Sequence, residues 1–383
     1  MEDTRVKVVA CESYELAELR SGVRELFAFF GGVRAVLGTG KRVAVKVNLL
    51  APAAPEKAIT THPLLAAAVC LELRDAGYLP FAVDSPGAGT PFTESGLTRV
   101  YRECGYAAVF AEHGLSLNKD IGARSVATDG RRMKRVDVLN AVVEADSVIS
   151  LAKGKTHGFT HVTGAAKNLF GVVPGILKAG YHAKLRKLEH FAEMLVDLVA
   201  FVKPAFSMID AVTCMEGNGP AAGEPRSVGR LLGARNPFAV DMAFSEMIGL
   251  ERARNPVLAV AVERGCLEPD AVSVAGPADR LDAFKLPDTT VTAEGFVAPG
   301  LLFRLARPLV GHLTLRPQIQ EYCVGCGVCA RSCPVKAIRV KQGKAVIDYG
   351  KCIRCYCCHE MCPHRAVAFK DSLLRRMLRR VLR

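Results

Sequence analysis

The chain has 383 residues, of which 50% are hydrophobic and 23% are charged. This composition supports a large buried core and excludes a disordered chain. The net charge is +13, but residues 1–303 carry 34 Lys and Arg against 34 Asp and Glu, so the excess lies in residues 304–383. Because the basic segment has no interleaved aromatic motif, we do not expect nucleic-acid binding.

We expect neither a targeting signal nor a membrane-spanning segment. The first residues, MEDTRVKVVA, lack the basic and apolar regions of a signal peptide. The apolar stretch at residues 297–313 is interrupted by prolines and arginines, and it falls short of the roughly 18 apolar residues that a spanning helix needs. The sequence therefore predicts a cytoplasmic protein.

Residues 1–297 alternate strand-like and helix-like segments. Short apolar runs bounded by turn residues are typical of buried parallel strands, and they are VKVVA, RVAVKVNLL, LPFAVDSP, SVISLAKGK, FSMIDAV and GRLLGA. Helical periodicity is found between them in ELAELRSGVRELFAFF, PLLAAAVCLELRDAG and HFAEMLVDLVAFV. The alternation predicts a large layered α/β domain with a mostly parallel sheet over residues 1–297.

Polar residues follow these predicted strands. Ligands of such sheets bind beyond the carboxyl ends of the strands, so the residues at those ends are site candidates. They are Lys46, Asn48, Asp84, Lys153, Lys155, His157, Asp210, Glu216 and Asp241. The acidic members could bind magnesium or transfer protons, and they could equally cap helices and turns.

The densest polar segment is KGKTHGFTHVTGAAKNLFGVVPG, Lys153–Gly175, which contains three lysines, two histidines and five glycines. Lysines beside a helix start at Thr163 and Gly164 suit a phosphate or a carboxylate. A solvated glycine-rich loop is the alternative. We expect acid/base chemistry or anion contact from His157, and not a metal site shared with His161, because glycine in this turn disfavours a helix.

Two cysteine runs, CVGCGVCARSCP and CIRCYCCHEMCP, are offset by 29 residues near the C-terminus. Each contains the Cys-x2-Cys-x2-Cys-x3-Cys-Pro spacing of bacterial ferredoxins, in which the fourth cysteine binds the other cluster. The spacing predicts two 4Fe-4S clusters in a small C-terminal α+β two-cluster ferredoxin domain at residues 321–370. The expected ligands are Cys323, Cys326, Cys329 and Cys362 for one cluster, and Cys352, Cys355, Cys358 and Cys333 for the other.

Some features of the cysteine runs leave alternatives open. Paired Cys-x2-Cys motifs also bind zinc, but zinc does not require the fourth Cys-Pro of each run. Gly325 and Gly327 allow a close turn around the first cluster, whereas Arg354 and Tyr356 occupy the matching positions in the second run. The ninth cysteine of this region, Cys357, is expected to be a bystander or to exchange with Cys358 as a ligand.

The motifs together resemble a known family. The segments KVN, DSPG, KTH, TGAAKNLFG, EGNGP and NPFAVD, followed by a two-cluster ferredoxin, are similar to iron-sulfur proteins built on the domain of unknown function 362. The resemblance implies catalytic candidates at His157, Lys155, Lys167 and Glu216. It implies substrate-binding candidates at Lys46, Asn48, Asp84, Lys153, Asn168, Asn218 and Asp241.

Three functions are compatible with this organisation. The first is an iron-sulfur redox enzyme that passes electrons between an unidentified redox partner protein and a small anionic substrate. The second is an electron-transfer or assembly factor that binds a partner protein, and the third is an isomerase or ligase with structural clusters. Two clusters in series favour electron transfer, because one would suffice as a structural clamp.

Two segments flank the predicted ferredoxin domain. Residues 298–320 contain three prolines and are expected to be a connector that positions the domain. Residues 371–383, DSLLRRMLRRVLR, have apolar residues at helical spacing with arginines opposite. We expect this basic amphipathic helix to pack on its own protein, with contact to an anionic membrane or a partner as the alternative.

Overall fold

The computed structural model describes residues 3–175, 177–185, 187–290 and 315–370. The predicted tail at residues 371–383 and most of the predicted connector therefore lie outside the described residues. Within those ranges no helix combines the length and the apolar composition that crossing a bilayer requires.

The large domain is built on one mixed sheet. The strands before residue 290 are β1 Arg5–Ala10, β2 Arg42–Lys46, β3 Leu79–Val83, β4 Ser116–Leu117, β5 Ala123–Ala127, β6 Arg135–Leu139, β7 Ser147–His157, β8 His161–Val162, β9 Phe206–Glu216, β10 Glu224–Ala234 and β11 Ser273–Ala275. The sheet has the order β11-β1-β10-β9-β7-β2-β3-β4, with β8 paired to β7, and β5 pairs with β6 separately. All six predicted strands are confirmed.

Strand direction is uniform across most of this sheet. The neighbours β4, β3, β2, β7 and β9 are parallel to one another, whereas β10 is antiparallel to both β9 and β1. The prediction of a mostly parallel α/β sheet is confirmed. Strand β10, inside the sheet, is the exception because it runs antiparallel to both of its neighbours. Because parallel strands end at a common edge, the residues after β2, β3 and β7 come together.

Helices cover both faces of the sheet. They are α1 Leu16–Phe29, α2 Val33–Leu37, α3 Pro63–Asp75, α4 Glu94–Glu103, α5 Tyr106–Glu112, α6 Asn140–Val143, α7 Gly164–Asn168, α8 Leu177–Lys184, α9 Leu188–Val202, α10 Pro237–Met247 and α11 Pro256–Glu263. In β2, Val43 and Val45 pack into the core formed by α1, α3, α4 and α5, while Ala44 packs into the core formed by α9, α10 and α11. The domain therefore has three layers.

The C-terminal domain is a small internal repeat. Its elements are β12 Arg316–Ile319, α12 Val328–Arg331, β13 Ile338–Lys341, β14 Lys344–Ile347, α13 Cys357–Glu360 and β15 Val367–Lys370. Strand β12 pairs with β15, and β13 pairs with β14, both antiparallel. Strand β12 thus lies within the predicted connector, residues 298–320, and takes its hydrogen-bond partner from β15.

Candidate functional site

A cavity lies between the carboxyl edge of the large sheet and helix α13 of the C-terminal domain. Its volume is about 70 Å³. The lining residues from the large domain are Lys46, Asn48, Leu50, Asp84, Ser85, Gly87, Ala88, Lys167, Asn168, Phe170, Gly171, Lys178, Ala179 and His182. The lining residues from the C-terminal domain are Cys357, Glu360 and Met361. Both domains thus contribute to one site.

A buried ion pair forms the floor of this cavity. Lys46 Nζ lies 2.8 Å from Asp84 Oδ1, and both side chains are almost completely buried. Asp84 also accepts the backbone N–H groups of Leu49 at 2.5 Å and Ser85 at 2.7 Å. A Cβ atom at Gly171 would overlap both charged groups. Burial lowers the pKa of Lys46, and the neighbouring Asp84 opposes that effect.

Amides connect the ion pair to a second buried lysine. Asn168 Oδ1 accepts from Lys46 Nζ at 3.3 Å and from Asn48 Nδ2 at 3.2 Å. Asn48 Oδ1 in turn accepts from Lys155 Nζ at 2.7 Å. Burial lowers the pKa of Lys155 well below its usual range, with a further contribution from the positive charge of Lys167. Lys155 therefore acts on the cavity through Asn48 and does not line it.

Two lysines of the cavity have different surroundings. Lys178 Nζ donates to the carbonyl oxygen of Ser85 at 2.9 Å, to the hydroxyl of Ser85 at 2.8 Å and to the carbonyl oxygen of Val173 at 2.8 Å. Burial lowers the pKa of Lys178 to about 7. Lys167 has no hydrogen-bond partner among the described residues, and burial lowers its pKa while Glu360 opposes that effect.

His157 bridges the two domains. Its Nδ1 accepts backbone N–H groups from Phe159 at 3.0 Å and Thr160 at 3.3 Å, which leaves the proton of the neutral ring on Nε2. That Nε2 lies 3.3 Å from Glu360 Oε1, although the two atoms are not aligned as a hydrogen bond. Burial, and then the positive charge of Lys167, hold the pKa of His157 well below its usual range. Burial raises the pKa of Glu360.

His182 of α8 lines the cavity with an uncharged ring. It stacks on Phe191 with ring centroids 4.4 Å apart, and its Nδ1 is buried without a hydrogen-bond partner in the described structure. Burial lowers its pKa to about 3, with a smaller contribution from Lys167. The unpaired ring nitrogen of a neutral imidazole can form a hydrogen bond with a bound molecule.

Several predicted site residues lie outside the cavity lining. Lys153 Nζ is 2.8 Å from Asp210 Oδ2, and Tyr14 bonds both side chains. Glu216 pairs with Arg226 at 3.0 Å. These contacts satisfy Lys153, Asp210 and Glu216 without a ligand.

Asp241 and Asn218 also have partners within the protein. Asp241 accepts the backbone N–H groups of Ala165 at 2.5 Å and Ala166 at 3.0 Å, so the helix start that the sequence suggested for an anion binds a carboxylate of the chain itself. Burial raises the pKa of Asp241 to about 7, and these two hydrogen bonds oppose that effect. Asn218 lies at the interface between the domains, where its carbonyl oxygen is 2.9 Å from His359 Nε2.

The eight predicted cluster thiols surround two further cavities. Cys323, Cys326, Cys329 and Cys362 line one of them. Cys333, Cys352, Cys355 and Cys358 line the other, together with Cys357. Each cavity therefore contains the three expected ligands from one run and the last cysteine of the other run. Within the described ranges, no group of three or more His, Cys, Asp or Glu side chains is placed to hold a single metal ion.

Backbone amides point at three of these sulfur atoms. The N–H groups of Ala337 and Ala366 donate to Cys333 Sγ and Cys362 Sγ, each at 3.2 Å, and Ala345 donates to Cys323 Sγ at 3.5 Å. Hydrogen bonds to sulfur stabilise the thiolates of an iron-sulfur centre and tune its potential. Four converging thiols with amide donors fit a 4Fe-4S cluster in each cavity.

The two cysteine loops follow the same backbone path in spite of their different residues. Gly325 and Gly327 have φ of 64° and 75°, and their counterparts Arg354 and Tyr356 have φ of 56° and 61°. Left-handed backbone costs a non-glycine residue roughly 1–2 kcal/mol. The buried Tyr356 ring packs against Phe369 with centroids 5.0 Å apart, a contact that helps to hold the second loop in this conformation.

Cys357 lies between the second thiol set and the cavity at the sheet edge. It is buried and lines that cavity together with Glu360. A hydrogen bond with Cys355, and then burial, raise the pKa of Cys357 well above its usual range. Cys357, which the sequence suggested as a bystander or as a ligand exchanging with Cys358, therefore lies between the second thiol set and the cavity at the sheet edge.

Contacts between the domains enclose the cavity. The backbone N–H of Gly89 donates to Met361 Sδ at 3.4 Å, and Arg365 forms an ion pair with Glu224 at 2.6 Å. A Cβ atom at Gly87 would approach Met361 and the carbonyl oxygen of Leu50 to 2.8 Å. Glycine at this position thus permits the close approach of the C-terminal domain.

Four titratable lining residues were not among the predicted site residues. Lys178 and His182 lie four residues apart in the segment Leu177–Lys184, a helical spacing that places both side chains on one face and is a usable sequence signal. Cys357 and Glu360 belong to the second cysteine run, whose spacing predicts cluster ligands and not cavity residues. The folded chain brings both pairs to residues more than 100 positions away in the sequence.

Comparisons with known proteins agree with this organisation. A family model described as "Domain of unknown function (DUF362)" matches residues 43–246, and one described as "4Fe-4S dicluster domain" matches residues 317–363. The "Thylakoid-associated protein sll1697" of Synechocystis sp. (strain ATCC 27184 / PCC 6803 / Kazusa) is 33% identical over 317 residues, covering 81% of this chain and 95% of that protein. Both family matches occupy the places that the sequence motifs predicted.

One solved structure shows a distant likeness. The lactate racemase apoprotein from Thermoanaerobacterium thermosaccharolyticum aligns with a TM-score of 0.39 and 12% sequence identity. The alignment covers 64% of this chain and 57% of the racemase chain.

Proposed function

Because the chain belongs to the family of the domain of unknown function DUF362 and carries a 4Fe-4S dicluster domain, we propose that it is a redox protein acting on a small anion. In this proposal two 4Fe-4S clusters relay electrons to or from a substrate in the cavity at the sheet edge. Bound clusters would supply one-electron transfer. The remaining chemistry belongs to residues of the chain.

The cavity shared by the two domains is the observation that carries this proposal. Cys357 lines it and is the immediate neighbour of Cys358 in the second thiol set. In the other thiol set, Cys326 is exposed at the surface. This arrangement supports electron exchange with an external partner protein at one end of the dicluster domain and with a substrate at the other.

The residues predicted as catalytic have separate roles in this proposal. Lys167 binds the anion, since its ammonium group faces the cavity without a protein partner. Lys155 positions Asn48 through a hydrogen bond. His157 lies 3.3 Å from Glu360 on the side of the large domain. Glu216 is bonded to Arg226 outside the cavity lining, and we propose no role for it in substrate binding.

The proposal is tested by the reoxidation of reduced protein. Anaerobically reconstituted full-length protein is photoreduced and mixed with a panel of short-chain oxo acids, while visible absorbance follows the clusters. We expect at least one acid to accelerate reoxidation with saturation. Cys355→Ala should remove the acceleration, because Cys355 belongs to the thiol set beside the cavity.

Two results would contradict a redox function on a small anion. One is reoxidation at the buffer rate with every acid of the panel. The other is turnover of an acid that Cys326→Ala and Cys355→Ala leave unchanged, which would indicate an isomerase or a ligase with structural clusters. Replacing the exposed Lys119 with Met provides the control variant, whose reoxidation should match that of the unaltered protein.

The thylakoid-associated relative raises the question of where this chain resides. We propose a cytoplasmic protein that does not bind membranes through its basic tail, residues 371–383. The full chain and a version ending at Lys370 should both remain unbound in flotation with anionic vesicles. Flotation of the full chain alone would instead show peripheral membrane contact through the tail, driven by its arginines.

A further inference from the structure

The cavity at the sheet edge has more positive than negative groups around it. The lining lysines are Lys46, Lys167 and Lys178, and the lining carboxyl groups are Asp84 and Glu360. Lys155, whose Nζ donates to Asn48 Oδ1, lies immediately behind this lining. Buried charge of one sign is costly unless an opposite charge compensates it, so the cavity favours an anionic occupant.

Among the lining lysines, Lys167 has N–H donors that no atom of the described residues accepts. The three donors of Lys46 are used by Val47 at 2.6 Å, Asp84 at 2.8 Å and Asn168 at 3.3 Å. Lys178 likewise donates to three protein oxygens. These two lysines contribute charge, whereas Lys167 can also donate hydrogen bonds to a bound molecule.

Two buried polar side chains at the cavity each have one atom that makes no hydrogen bond. His182 is 5% exposed and Glu360 is 6% exposed, and in the described structure His182 Nδ1 and Glu360 Oε1 make no hydrogen bond. Both residues line the cavity beside Lys167. Unsatisfied buried polar groups of this kind are rare in folded proteins and indicate a missing ligand or water.

The dimensions and walls of the cavity restrict the ligand. A volume of about 70 Å³ holds roughly five to seven water-sized positions. The apolar lining residues are Leu50, Ala88, Phe170, Ala179 and Met361. Inorganic phosphate would place some of its oxygens against such residues, which offer no side-chain hydrogen-bond donor, at a cost in binding. A short carbon chain is compatible with them.

We propose that this cavity binds a short-chain carboxylate, with its charged end on Lys167 and its carbon end against Phe170 and Met361. The proposal rests on the proposed function for the place of the substrate and adds its chemical class. The ion pair of Lys46 and Asp84 holds the polar floor in position beneath the bound molecule.

Direct binding to the oxidised holoprotein tests this assignment. Isothermal titration uses three probes of equal size: propionate, its neutral analogue propanamide, and inorganic phosphate. We expect propionate to bind more tightly than either of the other two. Lys167→Met should weaken propionate binding roughly ten- to hundredfold, the loss expected for a hydrogen bond to a charged group. Lys119→Met should bind as the unaltered protein does.

The assignment is overturned if propionate fails to bind, if propanamide or phosphate binds as tightly, or if a folded Lys167→Met protein binds propionate normally. Circular dichroism and iron content establish whether the Lys167→Met variant is folded. If it is not, the comparison of the three probes on the unaltered protein still tests the carboxylate assignment. The binding measurement requires no electron transfer. If propionate binds but no oxo acid accelerates reoxidation, the redox function is wrong and the ligand assignment stands. If an oxo acid accelerates reoxidation but no carboxylate binds in this cavity, the ligand assignment alone is wrong.

Discussion

Replacing Cys333 with Ser is expected to remove the same cluster as replacing Cys352, not the cluster lost from a Cys323 variant. Cys333 lines the cavity formed by Cys352, Cys355 and Cys358, although it belongs to the first run. Loaded protein should contain about eight irons per chain, and either variant about four. Iron analysis and low-temperature spin resonance of the remaining cluster measure the effect.

The converse variants provide the matched comparison. Cys362→Ser should leave the same spectrum as Cys323→Ser, because both side chains line the other cavity. Cys357→Ser is the control and should retain both clusters. If the Cys333 and Cys323 variants share one spectrum, each run binds its own cluster and the interleaved assignment is wrong.

Asp84→Asn is expected to destabilise the large domain by about 3–5 kcal/mol, since it leaves the ammonium group of Lys46 buried without its counter-charge. For a domain of this size the loss corresponds to a fall in melting temperature of roughly 5–10 °C. Thermal unfolding at one fixed scan rate, followed by circular dichroism under anaerobic conditions, measures it.

A surface ion pair provides the comparison for this variant. Glu103 pairs with the exposed Arg99 at 2.6 Å, and Glu103→Gln should leave the melting temperature almost unchanged because water screens that pair. The double variant Lys46→Met with Asp84→Asn should recover part of the loss, since no charge remains buried there. A melting temperature for Asp84→Asn equal to that of Glu103→Gln would show that the buried pair contributes little.

The apolar patterns predicted the strands and the main helices, but not the direction of every strand. GRLLGA was expected among parallel strands, and the structure places it in β10, antiparallel to β9. An apolar run shows that a segment is buried, and its direction depends on the connection to the preceding strand. Here seven residues separate β9 from β10, too few for the crossover that a parallel neighbour requires.

The candidate site was predicted in part. Lys46, Asn48, Asp84, Lys167 and Asn168 were selected from the sequence, and all five line one cavity. Their individual contacts were not predictable, because the pairing of Lys46 with Asp84 depends on the parallel register of β2 and β3. Lys153, Glu216 and Asp241 carried the same kind of sequence signal, yet their partners come from other parts of the protein.

By itself, the sequence predicted the two sets of thiols that line separate cavities and the alternation of strands and helices. Both depend on spacing within short segments, where chain geometry limits the possible arrangements. Only the tertiary structure decided that Cys357 and Glu360 line one cavity together with Lys167 and His182. That contact joins side chains far apart in the sequence, and it depends on how the C-terminal domain packs against the carboxyl edge of the sheet.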